Sequence, residues 1–259
     1  MQEKLHTIPV NEAFDSGDEC PFCYLQRENE ERVINFTIGP GASYMEPDIR
    51  AITDSEGFCA GHLKKLYDYG NALGCSLILQ TWYIGMLREL EQQLEEYQLP
   101  PRKTLFRKKA ALPTENALDI WLKKQEDSCF ICRRIEENRV RYYETFFVLL
   151  KQAEFREKVE TCKGFCLHHF RELLESAAEN LPGSQREWFY ETVFQLMKDN
   201  LLRVKEDVDW FVKKNDYRYA DQPWKNARDS LARAMQKYQG IYPADPPYKN
   251  SDFGISRKK

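Results

Sequence analysis

Four short stretches hold the residues best suited to chemistry. Cys20-Pro-Phe-Cys23 and Cys129-Phe-Ile-Cys132 each carry two thiols three positions apart. "GFCAGH" and "GFCLHH" each place an imidazole three positions after a thiol, at Cys59/His62 and at Cys166/His169. A C-x-x-C pair can cycle between dithiol and disulfide when one thiolate is acidified at a helix N-terminus. It can also supply half the ligands of a metal ion. The redox reading asks for a strand before the motif, but the preceding segments "NEAFDSGDE" and "LKKQEDS" are polar or helical. The central dipeptide also changes from Pro21-Phe22 to Phe130-Ile131.

A dithiol has no use for a C-x-x-H downstream, whereas a tetrahedral ion does. Zinc takes thiolates at about 2.3 Å and imidazoles at about 2.0–2.1 Å. Residues three apart share one face of a helix, so each motif can present two ligands at once. The motifs recur in the same order, with 35 residues between them in the first copy and 33 in the second. Taken in chain order, the expected ligand sets are Cys20, Cys23, Cys59 and His62, then Cys129, Cys132, Cys166 and His169. Two Zn²⁺ ions per chain are expected, with an Fe–S cluster as the alternative cofactor.

The other reactive side chains read as structural. Cys75 and Cys162 are taken as small buried hydrophobes. His168 is taken as a surface or supporting group beside the ligand His169, and His6 has no partner pattern. Phe58 and Phe165 anchor the loops that carry the downstream cysteines. Glu19, Glu56 and Asp18 lie close to the motifs in sequence, but acids are abundant in the chain.

The elements that must position these ligands are helical. "VFQLMKDNLLRVKEDVDWFV" sets Val193, Leu196, Met197, Leu201, Val204, Val208, Phe211 and Val212 on one stripe at helical spacing. Residues 76–97 do the same with Leu77, Ile84, Leu87, Leu90, Leu94 and Tyr97. Breaks are predicted at "IGPG", "YGNALG" and "ENLPGS". Trp82-Tyr83 and Trp188-Phe189 follow their histidines at nearly the same distance, each in a long helix.

The expected fold is all-α: two tandem zinc-stapled helical repeats packed as a pseudo-twofold bundle, with an irregular C-terminal tail. The first repeat spans residues 1–97 and the second 115–215. Residues 98–114, including the basic "RKTLFRKK", form a linker, and 216–259 a C-terminal helix and tail.

The motifs "CPFC", "GFCAGH", "CFIC" and "GFCLHH", with the late stretch "KKNDYRYADQPW", resemble a family of uncharacterised bacterial proteins, mostly clostridial, that share a domain of unknown function. The resemblance covers nearly the whole chain. It implies a cytosolic bacterial protein and supplies no activity.

Bulk properties narrow the function further. With 259 residues, 42% hydrophobic, a packed core is within reach. A net charge of −3 argues against general attraction to nucleic acid or an anionic membrane. The N-terminus has no secretory h-region and no window is apolar enough to span a bilayer, so the expected location is the cytoplasm. No nucleotide loop, H-E-x-x-H or G-x-S-x-G is present. The leading expectation is a non-enzymatic zinc-binding protein that engages a protein partner, with Tyr217, Tyr219, Trp224, Tyr238, Tyr242 and Tyr248 as one candidate surface. A fold-back of residues 217–224 onto the core is the plainer alternative. A redox- or metal-responsive sensor, or a metalloenzyme with one incomplete site, are the competing functions.

Overall fold

The computed structural model describes residues 6–97 and 116–240. The expected linker at 98–114 lies outside the described residues, as does the tail after Gly240 with Tyr242 and Tyr248. Among the described residues there are eleven α-helices and no strand. They are α1 (Thr7–Asp15), α2 (Pro21–Ile38), α3 (Pro47–Glu56), α4 (Ala60–Tyr69), α5 (Ala72–Glu95) and α6 (Ala117–Asp127). The second half of the chain contributes α7 (Phe130–Leu149), α8 (Ala153–Thr161), α9 (Leu167–Asn180), α10 (Arg186–Lys214) and α11 (Ser230–Gln239).

Helix ends fall where local chemistry demands. Helix α2 stops at the Gly-Pro-Gly stretch after Ile38, and α4 closes on Gly70, whose φ of 88° is the left-handed conformation that ends many helices. Asn71 then caps α5 by accepting a hydrogen bond from the Gly74 amide, while its own amide group donates to the Ile38 carbonyl. Helix α9 ends at Asn180, just before Leu-Pro-Gly.

The described chain forms two compact units. The first comprises residues 6–30 and 136–240, and the second residues 31–97 and 116–135. The division falls inside α2 and α7, so the second unit is an insertion within the sequence of the first.

The first unit has an aromatic core. Phe14, Phe146, Phe147, Phe155, Phe165 and Phe189 are buried with Val10, Leu25, Leu173 and Val193. Phe14 stacks on Phe146 with ring centroids 5.6 Å apart, and Phe22 stacks on Tyr143 at 4.4 Å. Such pairs add about 0.5–1.5 kcal/mol each beyond the area they bury. The segment after α10 folds back on that helix: Lys214 Nζ donates to the carbonyls of Tyr219, Ala220 and Gln222, Trp210 Nε1 to Pro223, and Trp224 packs on Phe211. Tyr217 nonetheless remains exposed.

The second unit has a smaller core of Val33, Ile34, Ile38, Leu66, Tyr69, Phe130 and Ile131. Its longest helix, α5, buries only Gly74 and Ile78. The expected stripe on that helix is real in its spacing, but Ile84, Leu87 and Leu94 are exposed along with Leu73 and Tyr83. On α10, by contrast, Val193, Met197 and Val204 are buried, and only part of the stripe, at Leu201 and Val212, faces outward.

Candidate metal centres

All four motifs adopt one local structure. The first residue of each (Cys20, Cys59, Cys129 and Cys166) stands immediately before a helix. Its carbonyl accepts the first helical hydrogen bond, from Tyr24, Leu63, Arg133 and Phe170 respectively. The second ligand then lies three residues on, in the first turn. Pro21 suits this position, because the first helical residue has no amide partner to lose. Thiol sulfurs at such ends meet unpaired amides: the His169 amide donates to Cys166 Sγ at 3.4 Å, and the Cys132 amide approaches Cys129 Sγ at 3.5 Å. A helix N-terminus favours thiolate over thiol.

Glycine sets the approach to both C-x-x-H motifs. Gly57 has φ 59° and ψ −155°, and Gly164 has φ 75°. An added Cβ at Gly57 would stand 3.0 Å from Trp82 Nε1. The residues that follow, Phe58 and Phe165, enter the two cores.

The helix ends meet in pairs, though not in chain order. Cys20 and Cys23 converge with Cys166 and His169, and Cys59 and His62 with Cys129 and Cys132. The expected quartets Cys20/Cys23/Cys59/His62 and Cys129/Cys132/Cys166/His169 are therefore incorrect in their pairing. Each C-x-x-C joins the C-x-x-H of the other copy. The physical reason lies in the cores: Phe22 packs with Phe165 and with the His169 ring, while Phe58 packs with Phe130. Each quartet thus sits wholly within one unit.

At the first site, His169 Nδ1 lies 3.5 Å from Cys20 Sγ, 3.3 Å from Cys23 Sγ and 3.2 Å from Cys166 Sγ, with Cys23 and Cys166 sulfurs 3.7 Å apart. At the second, His62 Nδ1 lies 3.2 Å from Cys59 Sγ and 3.3 Å from both Cys129 and Cys132, with Cys59 and Cys132 sulfurs 3.8 Å apart. A neutral ring nitrogen offers one proton or one lone pair, enough for one such neighbour. Three sulfurs gathered on one nitrogen, twice over, form two Cys₃His clusters able to hold a metal ion. All eight cysteines are free thiols.

Each site is also braced without its ligands. At the first, Lys237 Nζ donates to the carbonyls of Glu19 and Lys163, tying the loops before both motifs, and Lys163 Nζ reaches Gly17 O at 2.6 Å. Glu19, 4% exposed, faces Arg203 at 2.5 Å, Lys237 at 3.4 Å and Arg233 at 3.9 Å. At the second, the Phe130 amide donates to Gly57 O and Ser128 Oγ to Glu56 O, while Glu56 receives Arg133 Nε at 2.8 Å.

The electrostatics of each cluster show crowding around its centre. Cys166 is pulled far below the ordinary thiol range by hydrogen bonds with Cys20 and Cys23, against its burial and aided by His169. Hydrogen bonds with Cys166 and Cys20, together with burial, push Cys23 far up. His169 resists burial and is raised to about 10 by Cys166 and Cys20. In the second site, burial opposes ionisation of Cys129, but hydrogen bonds from His62 and the backbone bring it down to about 6. Burial and the neighbouring Cys129 and Cys59 push Cys132 up to about 12. A bound cation would offset the negative charge that such crowding of thiolates creates.

The remaining candidates fall outside the clusters. His168 is exposed and pairs with Glu172 at 3.3 Å, and Glu172 also receives the Tyr143 hydroxyl. Although His168, His169 and Glu172 are close enough to share an ion, this group includes a residue of the first site. Cys75 donates to Leu66 O and Cys162 is partly buried, so neither joins a cluster. His6 packs edge-on against Tyr142. Sequence reasoning missed Lys237 and Gly240 and set Glu19 aside as one acid among many; none has a motif, and only the preference of buried charges for partners could have marked Lys237 and Glu19.

Among the described residues, no helix is long and apolar enough to cross a membrane. No curated protein and no solved structure matches the chain. A family model matches residues 1–245, and by it the chain belongs to the family of unknown function DUF6062.

Proposed function

We propose that each Cys₃His cluster binds one Zn²⁺ as a closed structural site, and that the chain is a non-enzymatic, metal-stapled helical protein that engages a protein partner. The observation that carries this reading is the gathering of three sulfurs around one imidazole nitrogen in both units. A tetrahedral ion with sulfur arms of about 2.3 Å has sulfur–sulfur edges of about 3.8 Å and sulfur–nitrogen edges of about 3.5 Å. The corresponding separations here are 3.7 and 3.8 Å between sulfurs and 3.2–3.5 Å to nitrogen, so the donors fit. An iron–sulfur cluster spreads its ligands over several metal atoms, whereas every ligand atom of a site here lies within 4.8 Å of the others. That compactness favours a single ion.

Four protein ligands leave no open position for water or substrate, which favours a structural role over catalysis. Binding at such sites is worth about 10–16 kcal/mol in peptides, as much as the net stability of a whole domain. The second unit, with its short core, gains most from a staple. Eight free thiols suit a reducing compartment such as the cytoplasm. The exposed apolar residues of α5 offer a partner surface.

Metal analysis of protein purified without added metal tests the reading. Two zinc ions per chain are expected, and their removal by a strong chelator should lower helicity. Iron with visible absorption, or a metal-free chain of unchanged helicity, would overturn it.

A further inference from the structure

The two clusters share a ligand set but not an environment. Cys20, Cys23, Cys166 and His169 are each no more than 2% exposed. Gly240 closes over them, its φ of 76° leaving an added Cβ only 3.4 Å from Cys166 Sγ and 3.6 Å from Cys23 Sγ. Lys237 lies beside the same loops, as its bonds to the Glu19 and Lys163 carbonyls show. In the second site, His62 and Cys129 are buried, but Cys132 is exposed and Cys59 half-buried. These two outer sulfurs are 3.8 Å apart.

We propose that Cys132 and Cys59 form a peroxide-reactive pair, whose oxidation to a disulfide opens the second site while the first stays closed. The proposal deepens the metal-site reading and rests on it for its effect on metal. The Cys132 thiolate attacks one oxygen of hydrogen peroxide: an S–O bond forms, the O–O bond breaks and hydroxide leaves. The Cys59 thiolate then attacks the Cys132 sulfenic acid: the S–S bond forms, the S–O bond breaks and a second hydroxide leaves. Two electrons pass from the sulfurs to peroxide, and two protons from solvent turn the hydroxides into water.

Geometry favours this pair over the other thiols. A disulfide needs sulfurs at about 2.05 Å, so Cys59 and Cys132 must close by less than 2 Å. In the metal-loaded chain both sulfurs are ligands and are therefore deprotonated. Peroxide meets an exposed sulfur only at Cys132 within the clusters. Cys75 is held by the Leu66 carbonyl, and Cys162 stands outside both clusters. Two of the four ligands of the second site are consumed by one bond.

The test is titration of the metal-loaded full chain with hydrogen peroxide. Released metal is followed with a chromogenic chelator, and peptides are mapped without reduction. The expected result is loss of the first equivalent of metal about tenfold faster than the second, with a Cys59–Cys132 disulfide as the first cross-link. Brief iodoacetamide labelling of the unoxidised protein should mark Cys132 before any other ligand. Simultaneous loss of both ions, or a first disulfide containing Cys20, Cys23, Cys166, Cys75 or Cys162, would overturn the proposal. Protein that carries no metal would defeat the metal reading instead. The same peptide map of that protein would still accept or reject the sulfur pair.

Discussion

Glu19 shows how much of the first site is decided by single residues outside the ligand set. It precedes Cys20, is buried, and faces Arg203, Lys237 and Arg233. Substituting one member of such a group strands the remaining charges, which typically costs about 3–5 kcal/mol. Glu19→Gln is expected to destabilise the loaded protein by about that amount, read from the urea midpoint at unchanged slope. Gly57 makes the corresponding case in the second unit. Its φ of 59° with ψ of −155° is a conformation that side chains avoid, and Trp82 Nε1 occupies the space a methyl would need. Gly57→Ala should cost about 1–3 kcal/mol and speed metal loss from the second site alone, measured by chelator competition. At this scale the eight residues that gather into the two clusters were legible because cysteine and histidine at fixed spacing have few other uses. Glu19 and Lys237 were not, since a buried charge looks like any surface charge until its partners are placed.

Helix boundaries could be read from turn chemistry. The Gly-rich and Pro-rich breaks after Ile38, Tyr69 and Asn180 are local, so neighbouring sequence suffices to place them. Periodicity is less complete information. It puts Ile84, Leu87 and Leu94 on one face of α5 as it puts Val193 and Met197 on one face of α10, but only the latter is covered. Burial depends on what packs opposite, which a helix's own sequence does not contain. The two faces predict opposite mutational behaviour. Phe146→Ala, in the aromatic core of the first unit, should cost about 3–5 kcal/mol. Leu87→Glu should change stability by no more than about 0.5 kcal/mol by the same urea titration. A larger loss at Leu87 would mean that the α5 face is already occupied in solution.

The pairing of motifs is a property of the whole chain. Spacing within C-x-x-C or C-x-x-H fixes only a first helical turn, so the repeat is visible while the partner choice is not. Chain entropy does not decide it either: the cost of loop closure rises by only about 0.6 kcal/mol for each doubling of length. The contacts of Phe22 with Phe165 and of Phe58 with Phe130 select the exchanged pairs. A fragment of residues 31–135 holds all four residues of the second cluster and should bind one zinc ion tightly, whereas residues 1–120 hold only the mismatched quartet Cys20, Cys23, Cys59 and His62 and should bind it more weakly. Isothermal titration of both fragments separates this pairing from the one in chain order, which predicts the reverse. Interleaving also has a consequence for biosynthesis. Cys20 and Cys23 leave the ribosome well before their partner Cys166, which follows Cys23 by 143 positions. At about 5–20 residues per second, that is a wait of roughly 7–30 s. During it the nascent thiols meet Cys59 and His62 first, so translation itself stages a contest between a hasty wrong clasp and the correct late one.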